Sequence, residues 1–87
     1  MVKETQLEKM EHAIGFRFDR VKKNRYVAFR NHFAAPLLGD DDWKWLVGMG
    51  YAEQGEITES GVFYHVTRAG MNFIERVTGV KIVEEDI

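Results

Sequence analysis

Apolar positions near the start of the chain repeat at helical spacing. Leu7, Met10, Ile14 and Phe18 follow one another at intervals of three, four and four residues, and charged residues fill the positions between them. This spacing places the four side chains on one face of a helix. We therefore expect a helix over residues 4–15, whose last position is a glycine, the residue that most readily ends a helix in the left-handed conformation.

A second repeat of the same kind follows a basic stretch. Four apolar residues in this repeat are separated by three, four and four positions. This spacing predicts a short helix over residues 26–34 with its aromatic side chains facing the core. The only proline of the sequence, Pro36, limits how far this helix can extend. Residues 16–25 form either a loop or a frayed extension of the first helix. The repeat is made by Tyr26, Phe29, Phe33 and Leu37.

A third helix is predicted over residues 41–49. It follows three consecutive aspartates, residues 40–42, and an aspartate side chain can accept hydrogen bonds from the free amides of a first helical turn. Its buried stripe is predicted to comprise Trp43, Leu46 and Val47, and Gly50 is expected to end it.

The period then changes from helical to alternating. Residues 51–57 and 62–67 have the composition of strands, and the turn-forming residues 58–61 join them into a β-hairpin. Thr67 is a suitable N-cap for a last helix over residues 68–78. The acidic end, residues 82–87, is expected to be a flexible tail or to pack at an edge.

This order of elements resembles that of a winged-helix domain. Residues 46–51 and 64–70 are similar to the pattern L-V-x-x-G-Y followed by Y-x-V-T-x-x-G that runs through winged-helix regulators. The resemblance implies an α+β fold with three helices, a β-hairpin wing and a C-terminal helix. More narrowly, H-A-I-G-F at 12–16, R-N-H-F at 30–33 and D-W at 42–43 are similar to small uncharacterised phage and prophage proteins.

Length and composition exclude several classes of protein. The 87 residues allow one domain, residues 1–87, and the 45% hydrophobic content is sufficient for one core. The absence of cysteine excludes disulfide scaffolds, thiolate metal sites and cysteine nucleophiles. The sequence shows no signal peptide and no membrane-spanning run, so we expect a cytoplasmic protein, in the bacterial host if the phage resemblance holds.

The net charge of −2 conceals a strong separation of charge. Residues 17–32 carry six basic side chains against one acidic, and such clusters contact nucleic-acid phosphates. The interleaved aromatics Phe16, Phe18, Tyr26 and Phe29 are candidates for stacking on bases, with a place in the core as the alternative. The candidate DNA-binding residues are Arg17, Arg20, Lys22, Lys23, Arg25 and Arg30.

The charge of the predicted third helix and wing argues against the usual winged-helix docking on DNA. That mode leads with the N-terminal end of the third helix, which here carries the aspartates 40–42. Residues 40–60 hold six acidic side chains and one basic, so this surface should repel phosphates. Any DNA contact is therefore expected at the basic segment 17–30.

Protein contact or self-association is the function that the sequence favours. A basic segment opposite an acidic one suits head-to-tail interfaces. Trp45 lies off the predicted buried stripe, and Met49 and Met71 are expected to be exposed as well, which makes the three side chains candidates for an interface. Packing of Trp45 under the N-terminal segment is the alternative.

No catalytic or metal-binding motif stands out. His12, His32 and His65 show no ligand spacing, and His65 is expected to face solvent or to hydrogen-bond a neighbour. The aspartates 40–42 lack the periodic oxygen ligands of a calcium loop, so helix capping explains them more simply. We expect a non-catalytic binding module with no cofactor, no metal and no small-molecule substrate.

Overall fold

The computed structural model describes residues 1–85, which form three α-helices, five strands and one 3-10 turn at Phe18–Arg20. The α+β class is confirmed, as are the helices predicted near residues 4–15, 41–49 and 68–78 and the hairpin between the last two. The helices are α1 (Glu4–Ile14), α2 (Asp41–Gly48) and α3 (Arg68–Thr78). The strands are β1 (Arg25–Ala28), β2 (Phe33–Ala35), β3 (Ala52–Ile57), β4 (Val62–Val66) and β5 (Lys81–Glu84).

The end of α1 is set by Gly15, as the sequence predicts. Gly15 has a left-handed φ of 71° and donates its backbone N–H to the carbonyl of His12 at 3.1 Å. The next N–H, that of Phe16, bonds the carbonyl of Glu11 at 2.8 Å. Both bonds satisfy carbonyls that the helix leaves free. Phe18 therefore lies beyond the helix, and its expected place on the buried stripe is wrong.

The helix predicted over residues 26–34 is also wrong, because this region forms β1, a connecting loop and the start of β2. In β1 the buried residues Tyr26 and Ala28 alternate with the exposed Arg25 and Val27, which is the two-residue period of a strand. The helical spacing of the aromatics is coincidental, since β1 gains its hydrogen bonds from a distant partner. The order of three helices before the wing is accordingly not reproduced.

That partner is β5, which pairs with β1 in parallel, with Arg25 opposite Lys81 and Ala28 opposite Glu84. The expectation of a flexible tail over residues 82–87 is therefore wrong for residues 82–84, whereas the alternative of packing at an edge agrees with the structure. Of the remaining tail, Asp86 and Ile87 lie outside the described residues.

The outer edge of β5 is occupied by two side chains of α3. Glu75 accepts a hydrogen bond from the backbone N–H of Ile82 at 2.7 Å, and Arg68 donates to the carbonyl of Ile82 at 3.0 Å. Arg68 and Glu75 also pair with each other at 2.9 Å. The pair thus fills hydrogen-bonding positions that an open strand edge would offer to another chain.

A second sheet has the antiparallel order β2-β4-β3. Asn31 extends it before β2 begins, since its side-chain oxygen accepts from the N–H of Val66 at 2.7 Å and its amide nitrogen donates to the carbonyl of Val66 at 2.8 Å. The side-chain amide therefore makes the pair of bonds that a backbone residue would make in a ladder.

The core lies where α1 packs against the second sheet and the other two helices. Trp43 of α2 stacks on Tyr64 of β4, with ring centroids 5.4 Å apart and planes 10° from parallel. Met10 and Ile14 enter from α1, and Ile74 enters from α3. The first sheet joins this core through Tyr26, whose hydroxyl donates to the carbonyl of Ile14 at 2.8 Å.

Candidate functional site

The six basic residues singled out in the sequence lie between α1 and β2, and we call them the basic face. Arg17 directly precedes the 3-10 turn, Arg20 is its last residue, and Arg30 follows β1. All are exposed except Arg30, which is half-buried. The basic face consists of Arg17, Arg20, Lys22, Lys23, Arg25 and Arg30.

A tight turn before β1 presents three of these cations. The backbones of Lys22 and Arg25 bond each other in both directions, at 2.9 and 3.0 Å. The two residues between them, Lys23 and Asn24, have left-handed φ values of 53° and 60°. Glycine is the usual choice for such a turn, and a lysine there is strained. Strain of this kind persists only where the surrounding structure holds it in place, and it often marks a functional segment.

The turn is held from the opposite end of the chain. The side-chain amide of Asn24 donates to the carbonyl of Gly79 at 2.9 Å, and the carbonyl of Asn24 accepts from the N–H of Lys81 at 3.1 Å. These bonds join the turn to the connection between α3 and β5. Lys22 and Lys23 therefore project from a fixed part of the backbone.

Two grooves of about 330 Å³ each run along the basic face. They meet at Arg20 and Phe29, which line both of them. The first groove is lined further by Arg17, Arg30, Phe16, Gly15 and His12. The second is lined further by Lys22, Arg25, Tyr26 and Val27.

Arg20 is positioned at the junction by two contacts. Its guanidinium carbon lies 5.4 Å from the centroid of the Phe29 ring, within the range of a cation–π interaction. The same side chain donates to the carbonyl of Gly15 at 3.3 Å. The cation and the ring therefore form a composite surface, and both residues remain exposed.

Little acidic charge offsets the basic face. Asp19 pairs with Arg17 at 3.0 Å, but both side chains are largely exposed, and such a pair contributes little in water. Among residues 1–85, none of the other five cations of the basic face forms an ion pair. Their positive charge is available to an anionic ligand.

The four aromatics of this segment divide into two kinds. Phe16 and Tyr26 are buried, so the alternative that they belong to the core is confirmed and their use in stacking is excluded. Phe18 and Phe29 are 66% and 50% exposed. Within the part of the chain that the structure describes, they are the only exposed Phe, Tyr or Trp side chains. Both adjoin the cations of the basic face.

Asp40 caps α2, in agreement with the helix-capping role that the sequence suggests for residues 40–42. Asp40 accepts from the backbone N–H groups of Asp42 and Trp43, at 2.9 and 3.2 Å. Lys9 of α1 then pairs with Asp40 at 2.7 Å and with Asp42 at 3.0 Å. Sequence reasoning missed this role of Lys9, because nothing local signals a contact 31 residues away.

The ion pair shifts the pKa of both partners toward the charged state. Partial burial alone would raise the pKa of Asp40, but the hydrogen bonds from Lys9, Trp43 and Asp42 outweigh it and lower that pKa. The hydrogen bond to Asp40 raises the pKa of Lys9 against a smaller opposing effect of burial. Two of the three aspartates therefore share a compensating cation, and Asp41 remains exposed.

The hairpin of β3 and β4, which the sequence analysis predicts as a wing, keeps its negative charge. Glu53, Glu56 and Glu59 are all exposed, and none of them forms an ion pair with another residue of the described range 1–85. Both the basic segment and the acidic one are therefore exposed on the folded surface.

The three proposed interface residues do not form one surface. Met71 is 1% exposed, so its expected exposure is wrong: it lies on the face of α3 that packs into the core. Trp45 is half-buried and packs against the core from outside. Met49 is 53% exposed, as predicted.

The remaining candidate features are the histidines, a metal site and a membrane-spanning helix. His65 contacts the carbonyl of Asn31 through Nδ1 at 2.6 Å, so it bonds a neighbour. Over residues 1–85 there is no cluster of three or more His, Asp or Glu side chains placed to hold a metal ion. The same residues contain no helix with the length and apolar character needed to cross a membrane.

Comparison with protein-family models, with curated proteins and with solved structures finds no match. The winged-helix and phage resemblances therefore stay predictions.

Proposed function

We propose that this protein is a non-catalytic binding module whose basic face binds the phosphates of a nucleic acid. The observation that carries the proposal is the pair of adjoining grooves, because they bring five of the six predicted cations onto one surface. Lysine and arginine side chains are the groups that neutralise phosphates and release counterions, and four of these five cations form no ion pair within residues 1–85.

The charge distribution also supports this location over the usual winged-helix surface. The exposed carboxylates of Asp41 and of the wing would face the phosphates if α2 entered a groove of the duplex. Within residues 1–85 no carboxylate lines the two grooves of the basic face, although Arg30 also lines a neighbouring pocket with Glu84 and Glu85. Binding there requires no recognition helix.

The test is fluorescence anisotropy with labelled mixed-sequence 20-nucleotide DNA, single-stranded and duplex, in a salt titration. We expect binding at low salt whose logarithmic affinity falls linearly with the logarithm of salt concentration. The double variant Arg20→Glu/Arg25→Glu should weaken binding by about 10-fold or more and reduce the salt slope by roughly two, one for each lost phosphate contact.

Lys44→Glu, made singly and compared with Arg20→Glu alone, provides the matched control. It reverses one charge on the exposed side of α2, the helix that the winged-helix mode would use. We expect it to leave the affinity nearly unchanged. The proposal is wrong if neither form of DNA binds at low salt, or if Lys44→Glu weakens binding as much as Arg20→Glu.

Self-association is a second candidate, and the unpaired carboxylates of the wing favour it. Glu53, Glu56 and Glu59 of one copy complement the basic face of another, and Met49 lies three residues before the strand that carries the first of them. A head-to-tail contact of this kind would occupy the same cations that we assign to nucleic acid.

A further inference from the structure

We infer that the basic face binds single-stranded nucleic acid, with Phe29 and Phe18 stacking on its bases. This inference rests on the proposed function, because it assumes that the cations already contact phosphates. It adds the class of nucleic acid and the residues that distinguish it from a duplex.

The first observation is where the exposed aromatics lie. Of the Phe, Tyr and Trp side chains in residues 1–85, Phe18 and Phe29 alone are exposed, and both belong to the segment that holds the basic face. The other rings of this segment, Phe16 and Tyr26, are buried and pack edge to face with centroids 5.2 Å apart. Core packing therefore does not account for the exposed pair.

The second observation is the composite surface of Arg20 and Phe29. The guanidinium stacks over the ring at 5.4 Å, and the two together line both grooves. An unpaired base can stack on a phenyl ring or on a guanidinium plane, whereas the bases of a duplex present no free face. The junction thus offers a base platform beside cations that contact phosphates.

Phe18 provides a second ring close to the first groove. Its ring packs edge to face on Phe16, with centroids 5.2 Å apart, and Phe16 is part of that groove's lining. Two platforms separated by cations match the usual arrangement of a single-strand site, in which successive bases stack while the backbone follows a positive groove.

Three fluorescently labelled ligands of equal length test the inference: a 20-nucleotide single strand, its duplex, and a strand with the same phosphates but with abasic sugars. We expect the base-bearing strand to bind about 5- to 150-fold more tightly than the abasic one for each base that is stacked. It should also bind more tightly than the duplex at equal salt. A ribose version of the strand measures any preference between RNA and DNA.

The variant Phe29→Leu keeps an apolar side chain of similar size and removes the π face. We expect it to reduce the difference between base-bearing and abasic strands by about the contribution of one stacked base, while affinity for the abasic strand stays unchanged. Phe73→Leu is the matched control, since Phe73 makes the same kind of cation–π contact, with Arg76 at 5.7 Å, but lines neither groove. Circular dichroism checks that each variant is folded.

The failures of the two proposals are distinguishable. If no oligonucleotide binds, the proposed function fails. If base-bearing and abasic strands bind equally, or the duplex binds more tightly than the strand, only the stacking inference is overturned. Displacement of the strand by polyglutamate at equal charge concentration would instead show a surface for acidic protein segments and would overturn the inference as well.

Discussion

At the scale of single residues, the structure explains why position 70, in the sequence pattern of residues 64–70, is a glycine. A Cβ at this position would collide with the backbone carbonyl oxygen of Tyr51 and with the side chain of Val66. That carbonyl also accepts the N–H of Thr67, which caps α3. The start of α3 can therefore lie against the chain before β3 only if the residue there has no side chain.

The variant Gly70→Ala is accordingly expected to destabilise the protein by about 1–3 kcal/mol, because backbone must move to make room for the methyl group. Gly48→Ala is the control, since Gly48 is exposed in α2 and a Cβ there meets no other atom within 4 Å. It should instead stabilise by about 0.5–1 kcal/mol through the lost flexibility of the unfolded chain. Urea denaturation measures both, and equal effects would contradict this explanation.

Residue roles that act locally could be predicted from the sequence, and those that act across the chain could not. Gly15, Asp40 and Thr67 end or begin helices through contacts within a few residues, which the pattern around each one shows. Asn31 is different. Its side chain replaces a backbone partner for a residue 35 positions away, and nothing beside it in the sequence indicates that.

At the scale of elements, the beginning of α2 depends on its cap and on α1. Asp40 accepts two backbone N–H groups of the first turn, and Lys9 joins its carboxylate to the preceding helix. The α2 helix has only 8 residues, a length at which helices are marginal in isolation. Its stability is therefore expected to depend on the charge of one carboxylate.

This dependence predicts an acid limit of stability. The pKa of Asp40 is lower in the folded protein than in the unfolded chain, so its contribution is complete above the unfolded value of about 4 and is lost as pH falls through the folded value. The variant Asp40→Asn keeps a good N-cap but removes the charge. Its free energy of unfolding should fall less steeply than that of the wild type between about pH 5 and pH 2.

Asp41→Asn controls for charge removal in the same turn, because Asp41 is exposed and forms no ion pair within residues 1–85. It should keep the slope of the wild type. Thermal unfolding followed across the pH range provides the measurement, and identical slopes for wild type and Asp40→Asn would exclude the assigned role.

The three helices and the β3–β4 hairpin were predicted correctly, whereas β1, β2 and β5 were not. The four residues of β1 are too few to establish an alternating pattern, and the helical spacing from Tyr26 to Leu37 competes with it. What decides the conformation is β5, a strand from the other end of the domain. The residues of the basic face were predicted nevertheless, because their clustering along the sequence does not depend on whether the segment is a helix or a strand.

At the scale of the whole molecule, the separation of charge allows two modes of association that would compete for the basic face. The basic face and the acidic wing would attract each other between copies, and nucleic acid would compete for the basic face. Both interactions weaken with salt.

Sedimentation velocity measures the balance directly. If copies associate head to tail, the weight-average mass should rise with protein concentration at low salt and fall when a 20-nucleotide strand is added. Glu53→Gln/Glu56→Gln should reduce association without weakening strand binding. A monomer at all concentrations, or an assembly that nucleic acid does not dissociate, would contradict the head-to-tail contact.

The parallel pairing of β1 with β5 has a consequence for biosynthesis. The turn that carries Lys22 and Lys23 is fastened to Gly79, which is 55 residues later in the chain than Asn24. At typical translation rates the ribosome needs about 3–11 s to add that many residues. During this interval the turn that carries Lys22 and Lys23 lacks the residues that hold it. The basic face therefore takes its final form only after β5 has been synthesised.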